Sequence, residues 1–273
     1  MEAKVIVVTG ASSGMGKDFA LSLLKKGHIV YGLARRVEKM QDILEAGGKA
    51  IAMDVTDEAQ IQKAVDQIIA EQGRIDVLIN NAGYAVYGTV EEVPIDTARR
   101  QFEVNIFGLA SLTQKVIPVM REQRRGRIIN ISSMGGRMYT PMGAWYHATK
   151  HALEGWSDCL RLELQAFGID VVIVEPGGIA TEFTDVFKQQ LQGDTENGPY
   201  AEALQKILQS TTEMNAKGQL SPPGVITALI DKAVHSNKPK TRYVAGAFAK
   251  PMIFMRKYFG DRFFDRMLMK QFQ

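Results

Sequence analysis

Val5-Ile-Val-Val-Thr-Gly10-Ala-Ser-Ser-Gly14-Met-Gly16 decides the fold of this 273-residue chain. The β-branched run Val5–Thr9 predicts a buried strand, and the pattern after Gly16 predicts a helix. Glycines between a strand and a helix let the backbone turn tightly and approach a pyrophosphate, whose charge then rests on the helix N-terminus. The spacing is GxxxGxG rather than the commoner GxGxxG. Gly10, Ser12, Ser13, Gly14 and Gly16 are therefore candidate dinucleotide contacts, an ordinary βα turn being the plainer reading. Gly10–Gly14 also spells GxSxG, the elbow of a serine hydrolase, with Ser12 as nucleophile and His235 as a late base. That elbow needs strands and an oxyanion loop upstream, and these are expected to be missing, since only nine residues precede Gly10.

Outward from this stretch, short apolar runs alternate with helix-length segments. Strands are predicted at Lys4–Thr9, His28–Ala34, Ala50–Met53, Val77–Asn80, Gly126–Ser132, Asp170–Glu175 and Arg242–Ala245. Helices are predicted at Gly16–Lys26, Glu58–Glu71, Thr97–Arg121 and Ala144–Phe167. Such alternation calls for right-handed crossovers, hence an α/β fold: a doubly wound (Rossmann), mostly parallel seven-stranded sheet with helices on both faces. No repeat or Pro/Gly/Ser linker interrupts it, so residues 1–273 are expected to form one domain. The polar segment Leu191–Ala216 breaks the rhythm, and an insertion over 183–218 is expected there as a substrate lid or a plain surface loop.

The composition, 45% hydrophobic and 23% charged, is that of a soluble protein. The apolar runs are too short to span a bilayer, and no signal peptide is expected ahead of the glycine motif. A lone cysteine, Cys159, leaves no internal disulfide or thiolate metal cage and suits a reducing, cytoplasmic setting. Of the net charge of +3, residues 247–273 carry +4, from six basic and two acidic side chains, which leaves −1 for the rest. That distribution argues against a nucleic-acid footprint. The tail also interleaves aromatics and methionines with its basic residues. It is expected to pack near the substrate cleft or a subunit interface, with peripheral membrane contact as the second reading.

Position 34, where an acid would accept from the ribose 2′-hydroxyl of NAD, holds alanine, and Arg35 and Arg36 follow. Arginine forks suit a 2′-phosphate; a solvated basic turn is the competing reading. Tyr146 and Lys150 are i and i+4 on one predicted helix face. Bringing a phenol from pKa ~10 to ~7 takes ~4 kcal/mol, and a neighbouring cation lowers it by ~1–3. Lys150 together with an oxidised nicotinamide reaches that, although such a pair is also an ordinary surface contact. His147 and His151 share the zinc-helix interval, but Ala148 replaces the catalytic glutamate, so no metal site is expected and two partly exposed histidines are. Ser133 closes a strand where its hydroxyl would reach a carbonyl oxygen, as a turn-forming serine also would sit. Asn80-Asn-Ala-Gly83 likewise ends a strand. Asn105 lies inside a helical pattern, either buried around a water or on the helix surface.

Together these residues resemble the short-chain dehydrogenase/reductase family over nearly the whole chain. Thr9–Gly16 is similar to its TGxxxGxG, Asp54 to its adenine-side acid and Asn80–Gly83 to its NNAG. Asn105, Ser133, Tyr146 and Lys150 are similar to its tetrad, and Pro176-Gly177 and Thr181 to its PG turn and carboxamide-binding threonine. The resemblance implies that Tyr146 is the general acid/base, that Lys150 lowers its pKa and binds the nicotinamide ribose, that Ser133 polarises the substrate oxygen and that Asn105 holds a relay water. It implies cofactor contacts from the glycine loop and from Asp54, Asn81, Ala82, Gly83, Pro176, Gly177, Ile179 and Thr181, and Arg35 and Arg36 resemble its NADP-selective branch. Thr241–Gly246 and the tail look like retinol and hydroxysteroid dehydrogenase relatives. The expected protein is thus an NADP(H)-dependent alcohol dehydrogenase or carbonyl reductase for an apolar small molecule, as a homodimer or homotetramer. The alternatives are an idle NADP-binding sensor or scaffold on the same fold and, third, the hydrolase.

Overall fold

A computed structural model describes residues 2–180 and 198–270. Its strands are β1 (Val5–Thr9), β2 (Ile29–Ala34), β3 (Lys49–Ala52), β4 (Val77–Asn80), β5 (Gly126–Ile131), β6 (Ile169–Pro176) and β7 (Arg242–Ala245). All pair in parallel in the order β3-β2-β1-β4-β5-β6-β7. Each strand end lies within one residue of its expected position. The order reverses between β1 and β4, so the crevice for a ligand opens beyond the carboxyl ends of those two strands.

The helices are α1 (Gly14–Lys25), α2 (Gln41–Glu45), α3 (Glu58–Gln72), α4 (Ile95–Phe102), α5 (Leu109–Glu122), α6 (Ala144–Leu164), α7 (Ala201–Ala216), α8 (Gly224–His235), α9 (Ala249–Phe259) and α10 (Asp261–Met269). Alternation along β1 feeds two apolar layers. Ile6 and Val8 pack with Phe19 and Leu23 of α1 and Ile230 of α8, while Val5 and Val7 pack with Ile61 and Ile68 of α3 and Val116 of α5. α3 shows how local signals set an element. The Asp57 carboxylate accepts from Gln60 N–H at 3.0 Å, and Gly73 ends the helix at φ +68°.

Two local expectations are corrected. α1 begins at Gly14, two residues ahead of the expected start. The single helix expected over Thr97–Arg121 is broken by a π turn at Glu103–Gly108, because α5 meets the loop after β3. A Cβ at Gly108 would overlap the Val55 carbonyl, and the wider turn accommodates that approach. Of the polar segment expected as a lid or a loop, the described part forms the helix Ala201–Ala216, and its Leu204 packs on Tyr87, Met142 and Tyr200. The earlier part of that insertion, 183–197, and Thr181 lie outside the described residues.

Candidate active site

Two loops form the crevice floor, and Thr9 fastens them together. Its Oγ1 accepts from the backbone N–H groups of Asn81 (3.0 Å) and Ala82 (2.9 Å), while Asn81 Nδ2 donates to the Thr9 carbonyl at 3.0 Å. Gly10 turns at φ +67°, and a Cβ there would lie 2.9 Å from Asn81 Nδ2. A Cβ on Gly16 would overlap both Asn81 Nδ2 and the Gly10 carbonyl. Gly16→Ala is therefore an overpacking change costing about 1–3 kcal/mol. At roughly 2–4 °C per kcal/mol, thermal unfolding is expected to show Tm lower by about 2–12 °C. An unchanged Tm would mean the loop relaxes freely.

Ser13 caps α1 without a side-chain hydrogen bond, and no acid stands in the first turn. The first N–H groups of α1 therefore face the crevice with the positive end of the helix dipole, a setting suited to phosphate. A cavity of about 530 Å³ extends from here across the strand ends. It gathers ten expected positions: Gly10, Ser12, Ser13, Gly14, Arg35, Arg36, Asp54, Asn81, Ala82 and Gly83. Gly16 lies beneath the same floor. Pro176, Gly177 and Ile179 do not line it; they are held at the end of β6, where Gly177 N–H donates to the Ala245 carbonyl at 2.8 Å.

Arg35 and Arg36 are exposed at the cavity edge beside buried Ala34. The Asp54 carboxylate accepts from Thr56 N–H (2.9 Å) and Oγ1 (2.8 Å) and pairs with Arg100 at 3.4 Å. Burial opposes its ionisation, but those bonds and the charges of Arg100 and Arg35 outweigh burial and hold its pKa below the ordinary carboxylate value. Arg100 also lines the cavity, as do Tyr84 and Tyr87. The sequence offered no signal for these three beyond their residue types.

Tyr87 leads to the reacting group, its ring centroid 5.7 Å from that of Tyr146. Tyr146 is buried on α6 and hydrogen-bonded to the Ser133 side chain. Burial raises the phenol's pKa, and the Ser133 bond opposes that. Ser133 itself stands in extended conformation just past β5, its Oγ accepting from Gly135 N–H at 3.0 Å. One helical turn beyond Tyr146, the Lys150 ammonium donates to the Ile131 carbonyl at 2.9 Å and lies 5.8 Å from the Tyr146 ring centre. Burial lowers its pKa to about 8 against the attraction of Glu154.

Asn105 is buried, 2% exposed, in the π turn, which rules out a helix-surface position. Both its amide hydrogens go to protein, to the Tyr84 carbonyl (2.8 Å) and Thr149 Oγ1 (3.1 Å), and its Oδ1 accepts from Tyr84 N–H. The side chain thus clamps the cavity wall to α6. His147, expected to be partly exposed, is 7% exposed. Thr140 N–H donates to Nε2 at 3.0 Å, so the other nitrogen carries the hydrogen and donates to the Gly135 carbonyl at 2.9 Å. Burial lowers the pKa of this neutral ring, which braces the turn that follows Ser133. Small residues make room for it: a Cβ on Gly135 or Gly143 would crowd the imidazole.

Beneath α6 lies a charge network that the sequence did not reveal. Glu154 and Glu175 share Arg242 at 3.1 and 3.2 Å, Arg137 reaches Glu175 at 3.2 Å, and Asp158 takes the other end of Arg242 at 2.6 Å. Glu175 is 1% exposed. Burial and the repulsion of Glu154 raise its pKa to about 7 despite the two arginines.

The hydrolase reading fails on position. His235 contacts His28 at 2.8 Å, and His28 accepts from Lys4 N–H. Both partners precede strands, whereas Ser12 follows one, so histidine and serine lie at opposite edges of a parallel sheet. Among the described residues no group of His, Cys, Asp and Glu side chains is placed to hold a metal ion.

Residues 4–192 match the family described as short chain dehydrogenase. A 3-ketodihydrosphingosine reductase of Bacteroides thetaiotaomicron is 40% identical over 249 residues, covering 90% of this chain and 89% of that protein. An NADPH-dependent 3-dehydrocapnine reductase of Ornithobacterium rhinotracheale is 34% identical over 277 residues, covering 97% and 95%. The solved structure of a short-chain dehydrogenase from Streptomyces avermitilis is similar at a TM-score of 0.82 and 35% identity, covering 99% of this chain and 96% of that one.

Proposed function

The chain belongs to the short-chain dehydrogenase/reductase family of oxidoreductases, and on that premise we propose that it reduces a ketone on a long apolar molecule with NADPH. The observation that carries this reading is the buried Tyr146 hydroxyl bonded to Ser133, with Lys150 one turn away, next to a cavity edged by two arginines. The residues fit a dinucleotide phosphate: an uncapped helix N-terminus, two glycines (Gly10 and Gly16) whose missing Cβ lets the two floor loops close on each other, and exposed guanidinium groups where an acid would repel it. When bound, the reduced nicotinamide supplies the hydride to the carbonyl carbon. Tyr146 donates its phenolic proton to the carbonyl oxygen, which completes the alcohol, and solvent restores the proton. A raised phenol pKa keeps that proton in place at neutral pH, as an acid in the reductive direction requires. Ser133 orients the same oxygen, and the buried ammonium of Lys150 stabilises the phenolate left behind.

The names of the two relatives, a 3-ketodihydrosphingosine reductase and a 3-dehydrocapnine reductase, support a lipid-like 3-ketone as the substrate class. α7 supports it too, covering Tyr87 with Leu204 and Ile207 where the apolar part of such a substrate would lie. The test is NADPH consumption with long-chain 3-ketones, steroids, retinoids and small ketones. Turnover confined to small polar carbonyls would overturn the substrate class, and NADPH binding without any turnover would favour the sensor reading.

Cofactor choice is separately testable. Each charge-assisted bond to a 2′-phosphate contributes roughly 1.5–3 kcal/mol, about tenfold or more in affinity. NADPH is therefore expected to bind at least about tenfold more tightly than NADH. The triple variant A34D/R35A/R36A is expected to reverse that order in a fluorescence titration. Equal affinities in the parent protein would discount the arginine pair.

A further inference from the structure

We propose that the outer face of α9 and α10 docks on an anionic lipid bilayer; as the route by which substrate arrives, this rests on the lipid-ketone reading above. The inner face of the helix pair is already occupied. Phe264 and Leu268 are buried on Met138 and Met134, and Tyr139 donates to Asp265 at 2.7 Å. These contacts fix the pair against Met134–Gly136, the turn that follows Ser133.

Among the described residues, nothing covers the outer face in this way. Phe254, Tyr258, Phe259 and Phe263 are 55%, 62%, 54% and 40% exposed. Their rings nonetheless touch in series, with centroids 4.8 Å apart for Phe254–Tyr258, 6.2 Å for Phe254–Phe259 and 4.9 Å for Phe259–Phe263. Single exposed aromatics are ordinary; a connected cluster of four marks a surface made to be covered. Around it, Lys250, Lys257, Arg262, Arg266 and Lys270 are exposed. The two acids of the tail are already engaged, Asp261 by Arg256 and Asp265 by Tyr139.

Charge selects the occupant. A second copy meeting this face about a two-fold axis would press one +4 surface against another. A head-to-tail copy would need a matching acidic surface, and the rest of the chain nets only −1. An anionic bilayer satisfies both features at once, because aromatic rings settle at headgroup depth and lysine and arginine meet lipid phosphate. The opposite, inner face of the pair rests on the turn that follows Ser133, which ties the docking helices to the wall that carries the reacting groups.

The test uses the full chain and sedimentation with phosphatidylcholine vesicles, with and without phosphatidylglycerol. Binding is expected only with phosphatidylglycerol, and is expected to weaken about tenfold or more as salt is raised. F254S/F259S and K257E/R262E are each expected to lose about tenfold or more of that binding while turning over a water-soluble ketone at the parent rate. No binding to phosphatidylglycerol vesicles would overturn the proposal. So would equal binding by both variants, or an oligomer that F254S/F259S dissociates. Vesicle binding without turnover of any long-chain ketone supports docking and overturns only the substrate class. Turnover of such a ketone in detergent by a protein that ignores vesicles does the reverse.

Discussion

Tyr146→Phe is expected to lower kcat for ketone reduction by about 10²–10⁴-fold, the usual worth of a positioned general acid, while NADPH affinity stays within a few-fold. The ring of the variant keeps its neighbours, since Tyr87 and His147 pack on it at 5.7 and 5.8 Å between centroids. Ser133 keeps its bond from Gly135 N–H. The hydroxyl that donates the proton and bonds Ser133 is lost, and both act at the reacting oxygen, so the change falls on the transition state rather than on NADPH binding. Single-turnover reduction followed by NADPH absorbance gives the first quantity, and a binding titration gives the second. Near-normal turnover in the variant would remove Tyr146 from the chemistry. The same site sets a pH limit. Lys150 carries a pKa of about 8 in the free protein, so its ammonium is lost as pH rises through that value. Reductive kcat/KM is therefore expected to be level below it and to decline above it.

Arg242→Met is expected to be the most destabilising single change among the charged residues. It removes the guanidinium that Glu154, Glu175 and Asp158 share, leaving buried Glu154 without its ion-pair partner and buried Glu175 with Arg137 alone. Breaking a buried pair from one side costs about 3–5 kcal/mol, a fall in Tm on the order of 10 °C. The pH dependence has a definite sign. Glu175 titrates near 7 when folded and near 4.5 when unfolded, so the folded state holds an extra proton between those values. Its contribution to stability is full at low pH and is lost as pH rises through about 7. Once protonated, Glu175 no longer needs Arg242. Thermal unfolding should therefore show a larger loss at about pH 8 than at about pH 5.5, and equal losses would mean that Glu175 does not depend on Arg242.

What was legible in the chain followed from local causes. The central strands are covered on both faces, so they are written as unbroken apolar runs such as Val5–Val8, and their ends are sharp. α3 carried its own stops in Asp57 and Gly73. The ten cavity positions were readable because glycines and loop ends at the carboxyl edge of a parallel sheet have few other uses. What was hidden depends on distant partners. The break at Glu103–Gly108 answers to Val55 on another loop. His147 is buried because Gly135 and Thr140 close over it, which its place on the helix did not disclose. Arg242 joins residues 88 and 84 positions away, and a charge read alone looks like a solvated one. In the tail, the spacing of Phe264 and Leu268 marks an inward face, but only the fold shows that Phe254 and Phe259 remain outside.

The bond from Asn81 N–H to Thr9 Oγ1 spans 72 positions of chain. Its closing is a long-range step in folding, slow compared with forming either loop. In the order of synthesis, however, it comes early. Everything that shapes the cavity floor has left the ribosome by Gly83, while Ser133, Tyr146 and Lys150 are still to be added. A nascent chain folding from its amino end thus builds the nucleotide half as a platform, and the acid that completes the chemistry is laid onto it afterwards.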